Sequence, residues 1–332
     1  MSMDTSTNDS AIWTDVNLQH PLMVRLRASL ERMGLAEAPV ILAVSGGRDS
    51  MAMMHAMWLM RRQHAGLSIG HVHHGQREES DAEWDLVSSE AHRRGLPIQA
   101  THLQLDAGCS AATLREARMD ALVDMARAVG ACAVLTAHHA EDQAETVLLA
   151  MIRGAGPAGL TGMRPLRELE PGIMLARPML DISRQHTTSF CVEGSVPWAD
   201  DPGNVDVTRP RSRLRRDVLP VLEAIRSGAV ERMAGGAEVR GAAAEALAAA
   251  ILPANQHAWA RDDLKSLPAG LRMASLHAEV SEVLGGTDLI SSSTLQSAVD
   301  AISDQRRHQR IFEIGGGLSI SVEAEQVRII KP

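Results

Sequence analysis

The chain has 332 residues, 45% hydrophobic and 22% charged, a balance that suits a globular protein of about two domains. A net charge of −8, no tyrosine and two phenylalanines argue against a broadly sticky nucleic-acid binder or a base-stacking platform for single strands. Cys109, Cys132 and Cys191 are too few and too scattered for a disulfide framework or a Cys-x-x-Cys metal site, and no apolar run reaches the roughly 20 residues that cross a bilayer.

In chain order, residues 1–20 read as a polar, disordered tail without the apolar core of a secretory signal, which suits a reducing cytoplasm. An amphipathic helix is expected over 22–35. Strand-like runs at 39–44, 67–72, 97–103 and 132–137 then alternate with helical segments at about 50–63, 80–94, 110–129 and 141–153. That alternation predicts an α/β fold, a parallel sheet with helices on both faces, which binds ligands at the carboxyl ends of its strands. A Gly-rich loop, Arg153–Met163, precedes a strand at about 173–178. Ser183 heads a helix to about 193, and Trp198–Asn204 reads as a turn-rich loop. A basic run starts at Arg209. From about 216 the chain turns Ala/Leu/Glu-rich and helical, and 309–330 alternates around Gly315–Gly317 as a hairpin does. The expected organisation is an α/β domain over 21–215 and a smaller, mainly helical C-terminal domain over 216–332, with the boundary near 205–220.

The most informative stretch is Val40–Ser50, where an apolar run ends in Ser45-Gly46-Gly47-Arg48-Asp49-Ser50 and a helix follows at once. Two adjacent glycines let backbone amides converge on an anion without obstruction, and the helix N-terminus adds its own amides and dipole. Ser45 and Ser50 add hydroxyl donors. A carboxylate is out of place in an anion cradle unless a metal bridges it to phosphate, which makes Asp49 a candidate Mg²⁺ ligand. The loop has neither the lysine of the common P-loop nor the Gly-x-Gly-x-x-Gly spacing of dinucleotide folds. A bare strand–helix turn is the alternative.

Other constellations sit at strand ends. In Ala137–Thr146, Asp142 and Glu145 are three apart and share a helix face, where they either cap the helix or hold a metal or an ammonium. His71 and His73, in His71–Gly75, fit packing or hydrogen bonding to a nucleotide better than zinc, since neighbours on a strand point opposite ways. His138 and His139 are read with the same caution. Arg115 and Arg118 share a face and suit polyphosphate or RNA backbone if they are more than solvated charges. Arg209, Arg211, Arg213, Arg215 and Arg216 crowd eight residues of an acidic chain; a segment meeting RNA phosphates explains them better than a solvated linker.

Taken in order, these pieces resemble the tRNA(Ile)-lysidine synthetase family of the ATP pyrophosphatase (PP-loop) group. The match runs from about 38 to 222, through Ser45–Ser50, His71–Gly75, Arg115–Arg118, Ala137–Thr146, Arg153–Met163, Ala176–Leu180, Trp198–Asn204 and Arg211–Pro220. The resemblance implies a two-step reaction. ATP adenylates the C2 oxygen of the wobble cytidine in a tRNA(Ile) with a CAU anticodon, and the ε-amine of free L-lysine then displaces AMP. It implies ATP bound by Ser45–Ser50 with His71 and His73, Mg²⁺ on Asp49, catalysis by Asp49, Asp142 and Glu145, and substrate contacts from Arg115, Arg118, His138, Arg211, Arg213 and Arg215. The C-terminal domain would bind tRNA, and a homodimer is left open.

Three positions depart from the family pattern: Glu141 replaces a frequent aspartate, Met119 an aromatic, and Ser212 an asparagine. The chain is also shorter than many members, as if without a further C-terminal RNA-contacting domain. The competing readings are a tRNA thiolation enzyme of the same fold, disfavoured by unpaired cysteines; an amidotransferase-coupled synthetase, which lacks an evident glutaminase segment; and a non-catalytic nucleotide-binding module.

Overall fold

The computed structural model describes residues 18–60, 66–73, 79–103, 109–199, 210–285, 290 and 292–331. The tail to residue 17, His74, Gly75, Asp200–Asn204 and Arg209 lie outside the described residues. The chain divides into two compact units, one of residues 1–145 and 163–235, the other of 146–162 and 236–332.

The first unit is built on a six-stranded sheet in the order β3-β2-β1-β4-β6-β5. Its strands are β1 (Val40–Ala43), β2 (Leu67–His73), β3 (Ile98–His102), β4 (Ala133–Leu135), β5 (Leu166–Glu170) and β6 (Ile173–Ala176). All neighbours pair in parallel except β5, which runs antiparallel to β6 at one edge. β1, β2 and β4 are buried along their whole length, and β1 and β4 accordingly read as continuous apolar runs. Period-two geometry sorts their side chains. Val40, Leu42 and Val44 join a core with the helices Pro21–Arg32, Arg48–Leu59 and Arg184–Glu193. Ile41, Ala43 and Val72 join a second core with the helix Ala111–Val129 on the other face. At Gly70 an added Cβ would lie 3.1 Å from both Ile41 and Leu122, so glycine lets this helix close onto the sheet.

From β1 the chain steps outward to β2 and β3, then returns to place β4 on the other side of β1. The switch point therefore lies between the carboxyl ends of β1 and β4, where Ser45–Ser50 and Thr136–Asp142 emerge.

The second unit carries an antiparallel sheet in the order β7-β10-β9-β8, from β7 (Ala258–Ala260), β8 (Arg310–Gly315), β9 (Leu318–Val322) and β10 (Gln326–Ile330). The expected terminal hairpin is thus part of a four-stranded sheet. It packs with the helices Arg261–Ser266, Ala269–Leu284 and Ser292–Ser303 over a core that includes Trp259, Leu264, Leu276 and Ile320. Buried Arg261 is held by backbone oxygens of Ala301, Ile302, Asp304, Arg306 and Glu323 at 2.8–3.2 Å, closing the carboxyl end of the 292–303 helix.

Candidate active site

The Ser45–Ser50 loop joins the end of β1 to the helix Arg48–Leu59, with Gly47 as the residue before its first turn. Gly46 has φ +91°, and a Cβ there would crowd Glu83 at 3.3 Å; both facts require glycine. Ser50 Oγ donates to Gly47 O at 2.8 Å and accepts from Ser45 N at 3.2 Å, so the loop is braced from inside. Ala199, in the loop after Trp198, donates its amide to Gly46 O at 3.0 Å. Asp49 stands in the first helical turn. Its Oδ1 accepts the Thr187 hydroxyl at 2.5 Å, its Oδ2 lies 3.5 Å from His139 Nε2, and a fifth of the side chain stays exposed.

Facing this loop, the helix Ala140–Ile152 begins at the end of β4. Asp142 accepts the His139 amide at 3.1 Å, so it does cap the helix. It does more than that. His139 Nε2 is 3.5 Å from Asp142 Oδ2 as well as from Asp49, and Nδ1 lies 3.0 Å from Glu141 Oε2. Burial opposes charge on this imidazole, but Glu141, Asp142 and Asp49 together raise its pKa above the ordinary histidine value. Burial opposes ionisation of Asp142 too, yet His139 and the helix amide hold it below the usual carboxylate range. Glu141 is likewise lowered against burial, by His139 and by the Arg184 amide, which it accepts at 2.9 and 3.0 Å. Its role is to tie the 184–193 helix to the site.

Glu145, one turn on, is fully buried. Burial raises its pKa, and Arg215 opposes the rise. Arg215 Nε donates to Glu145 Oε1 at 2.7 Å and Nη2 to Asp142 Oδ1 at 3.1 Å; Glu145 Oε2 has no hydrogen-bond partner. The sequence run that suggested RNA contact thus sends one of its arginines inward. Arg215 belongs to a π-helical segment, Leu214–Val218, between the short helices Pro210–Arg213 and Leu219–Ile225; Arg211 and Arg213 are exposed.

The remaining expected site residues ring the same strand ends. His138 Nδ1 pairs with the Thr136 hydroxyl at 2.9 Å. Burial pushes its pKa down to about 4, with Asp142 opposing and Arg177, Arg115 and Arg118 adding. Arg118 is half-buried and burial lowers its pKa, whereas Arg115 is exposed. Arg118 lines a small cleft with Val44, Ser45, Gly70, Val72 and Glu83. His71 is fixed by Val44 O at 2.8 Å from Nδ1 and packs 5.6 Å from the Trp84 ring. His73 bonds Asp81 at 3.0 Å, away from the loop serines in partnership if not in strand.

Sequence reasoning passed over His139, Arg177, Arg184 and Thr187 as site residues. Arg177 is buried, donates to Arg164 O at 2.7 Å, and is pushed down to about 10 by burial and then by Arg167 and Arg115. Its place in Ala176–Leu180 was a local signal. Arg184 and Thr187 had none, because their roles arise from packing of the 184–193 helix on the 48–59 helix. Cys191 is buried in that helix and its thiol is pushed up to about 12. Among the described residues no group of three or more His, Cys, Asp or Glu forms a metal cage.

A family profile described as a PP-loop domain matches residues 18–222. The tRNA(Ile)-lysidine synthase of Salinispora arenicola is 35% identical over 306 residues, spanning 89% of this chain and 91% of that one. The tRNA(Ile)-lysidine synthase of a Methylobacterium species is 37% identical over 282 residues, 82% of this chain and 75% of that one. Among solved structures, the U34-tRNA thiolase NcsA from Methanococcus maripaludis, described with its [4Fe-4S] cluster, superposes with a TM-score of 0.57. It does so over 66% of this chain and 76% of that one, at 18% identity, a likeness of fold.

Proposed function

The chain belongs to the tRNA(Ile)-lysidine synthase family of PP-loop proteins, and from that premise we propose how its residues divide the work of making lysidine from ATP, lysine and the wobble cytidine. The enzyme is a ligase that converts ATP to AMP and diphosphate while forming a C–N bond on tRNA(Ile). The observation that carries the division of labour is His139, one buried imidazole set between Asp49 of the phosphate loop and the Asp142 carboxylate beside Glu145.

In the first step the cytidine O2 attacks the α-phosphorus, the O2–P bond forms and the bond to the β-phosphate oxygen breaks. Negative charge gathers on the departing diphosphate. Amides of the Ser45–Ser50 loop and of the helix N-terminus, with the Ser45 and Ser50 hydroxyls, stabilise it there. Arg118 lines the cleft beside the loop on the nucleotide's side, and His71 and His73 brace β2 next to it. Asp49 fits a Mg²⁺ shared with phosphates, because such an ion takes one or two carboxylates and substrate oxygens rather than a protein cage. The ion supplies charge neutralisation on the polyphosphate.

In the second step the lysine ε-nitrogen bonds to C2 and the C2–O bond breaks, releasing AMP. Asp142 and Glu145 orient the ammonium. Glu145, its pKa raised by burial, takes the proton that makes the amine nucleophilic. His138, held neutral, hydrogen-bonds the target base. Arg115, Arg211 and Arg213 meet RNA phosphates, and residues after 216 bind the rest of the tRNA. The cytidine leaves its stack cheaply because it sits in an anticodon loop. A tRNA substrate supports a cytoplasmic location for this reading.

Thiolation is the weaker reading. The three cysteines lie on separate elements, and Cys191, next to the loop at 3.7 Å from Arg48 O, holds its proton too tightly to act as a sulfur carrier. The test is ATP-dependent incorporation of labelled lysine into a tRNA(Ile) transcript with a CAU anticodon, against a transcript with U at the wobble position. Incorporation into the first alone, with AMP and diphosphate released, is expected. Diphosphate release without lysine incorporation overturns the reading.

A further inference from the structure

Arg215 occupies the place that the incoming ammonium needs. Its guanidinium spans one oxygen of Glu145 and one of Asp142, at 2.7 and 3.1 Å. A second cation at those oxygens would meet the first at contact distance. Yet the side chain of Arg215 is 30% exposed while that of Glu145 is 1% exposed, so an anion can reach the arginine without reaching the carboxylate behind it.

We propose that Arg215 is a resident cation that fills the lysine subsite of the free enzyme, and that an RNA phosphate draws it away, so that lysine binds to the RNA-engaged enzyme. The inference rests on the reading of Asp142 and Glu145 as the lysine subsite. Three observations on one segment carry it. The guanidinium already bonds one oxygen of each acid, which sets a cation in the subsite in the absence of substrate. Arg215 sits in a π-helical turn, Leu214–Val218, bounded by short helices. Such a turn holds one residue more than an α-turn, and its conversion to α swings flanking side chains by about 100° relative to one another. Arg211 and Arg213, exposed one turn earlier, present the charge that brings a phosphate backbone to this segment. A phosphate offers a guanidinium the same bidentate geometry as a carboxylate, so the exchange keeps Arg215 paired.

Arg215 is on this account a specificity-determining residue that makes lysine binding conditional on the tRNA. Linkage then requires the reciprocal effect, that lysine tightens tRNA binding by the same factor.

Equilibrium dialysis of labelled lysine against the full chain, with and without the CAU transcript, tests it. The transcript is expected to tighten lysine binding about tenfold or more. Arg215→Gln is expected to bind lysine without tRNA more tightly than the parent does, with most of the tRNA dependence gone. Because this variant leaves two acids facing each other, its melting is checked first. If it does not fold, the reciprocal measurement on the unmodified chain decides: saturating lysine tightens the transcript by the same factor. Equal lysine affinity with and without transcript overturns the proposal, as does a folded Arg215→Gln that binds lysine no better than the parent. If the unmodified chain incorporates lysine but binds it independently of tRNA, this inference alone fails; if it incorporates none, the lysidine reading fails with it.

Discussion

The two units each set an arginine among oxygens, and they do so to opposite ends. Arg261 in the C-terminal unit meets five backbone carbonyls, four at or just past the end of the 292–303 helix and one after β9, with the Asp304 carboxylate at 3.4 Å. Arg215 in the PP-loop unit meets two side-chain carboxylates, of which Asp142 also accepts the His139 amide and Glu145 keeps one oxygen without a partner. Buried polar groups without partners are costly, and a fold keeps them where a ligand will supply the bond. The Arg48, Arg177 and Arg184 side chains near the loop each also hold a buried nitrogen without a hydrogen bond. The fold supplies every bond that Arg261 makes, whereas the Arg215 site keeps a carboxylate oxygen open.

The largest expected effect separates the two at once. Asp49→Asn keeps an oxygen for the Thr187 hydroxyl but removes the charge beside the phosphate loop. Lysine incorporation should fall about a hundredfold or more, with the urea midpoint nearly unchanged. Full turnover in this variant removes Asp49 from the chemistry. Arg261→Met should do the reverse. Carbonyls at the end of the 292–303 helix lose their donor, and unfolding of the C-terminal unit in urea should show a loss of about 3–5 kcal/mol. ATP binding by the folded protein should persist. A loss under 1 kcal/mol would mean water replaces the guanidinium and the contrast collapses.

Acid sharpens the contrast further. His138 has a folded pKa near 4 against 6.5 unfolded. The unfolded chain therefore takes up the proton first. Stability from keeping this ring neutral is complete above pH 6.5 and drains away as pH falls toward 4, by at most about 3 kcal/mol. Urea titrations of the parent and His138→Gln should diverge over that window, the parent losing more; parallel curves would show that the ring is not held neutral. The smallest effect calibrates the rest. Ser110 accepts the Thr113 amide at 3.1 Å and caps the helix Ala111–Val129. Ser110→Ala should cost about 1 kcal/mol with no change in lysine incorporation, and a large activity loss would tie that helix end to the substrate.

Much of the architecture was legible because buried parallel strands announce themselves. Val40–Ala43 and Ala133–Leu135 are unbroken apolar runs, and each helix between them follows at the expected spacing. β5 escaped because an edge strand needs no apolar face: Leu166–Glu170 carries three charges in five residues. β7 escaped because three residues hold no period. In the site, the loop and the Asp142/Glu145 spacing were local patterns. The Thr187–Asp49, Glu141–Arg184 and Arg215–Glu145 bonds join residues 138, 43 and 70 apart, and no sequence period encodes such a meeting. Glu141, legible only as a departure from the family pattern, proved to anchor a helix and a histidine.

The distribution of indole rings gives this chain an optical property. It has five tryptophans and no tyrosine, so its near-ultraviolet emission comes from indole alone. Trp259 is the single indole of the C-terminal unit, buried in its core with Nε1 on Leu252 O. Trp84, against His71, directly follows Glu83 of the cleft lining in sequence. Emission from Trp259 therefore reports the integrity of one unit and quenching of Trp84 the filling of the other, so two phenylalanine substitutions would resolve folding from ligation in an unlabelled cuvette.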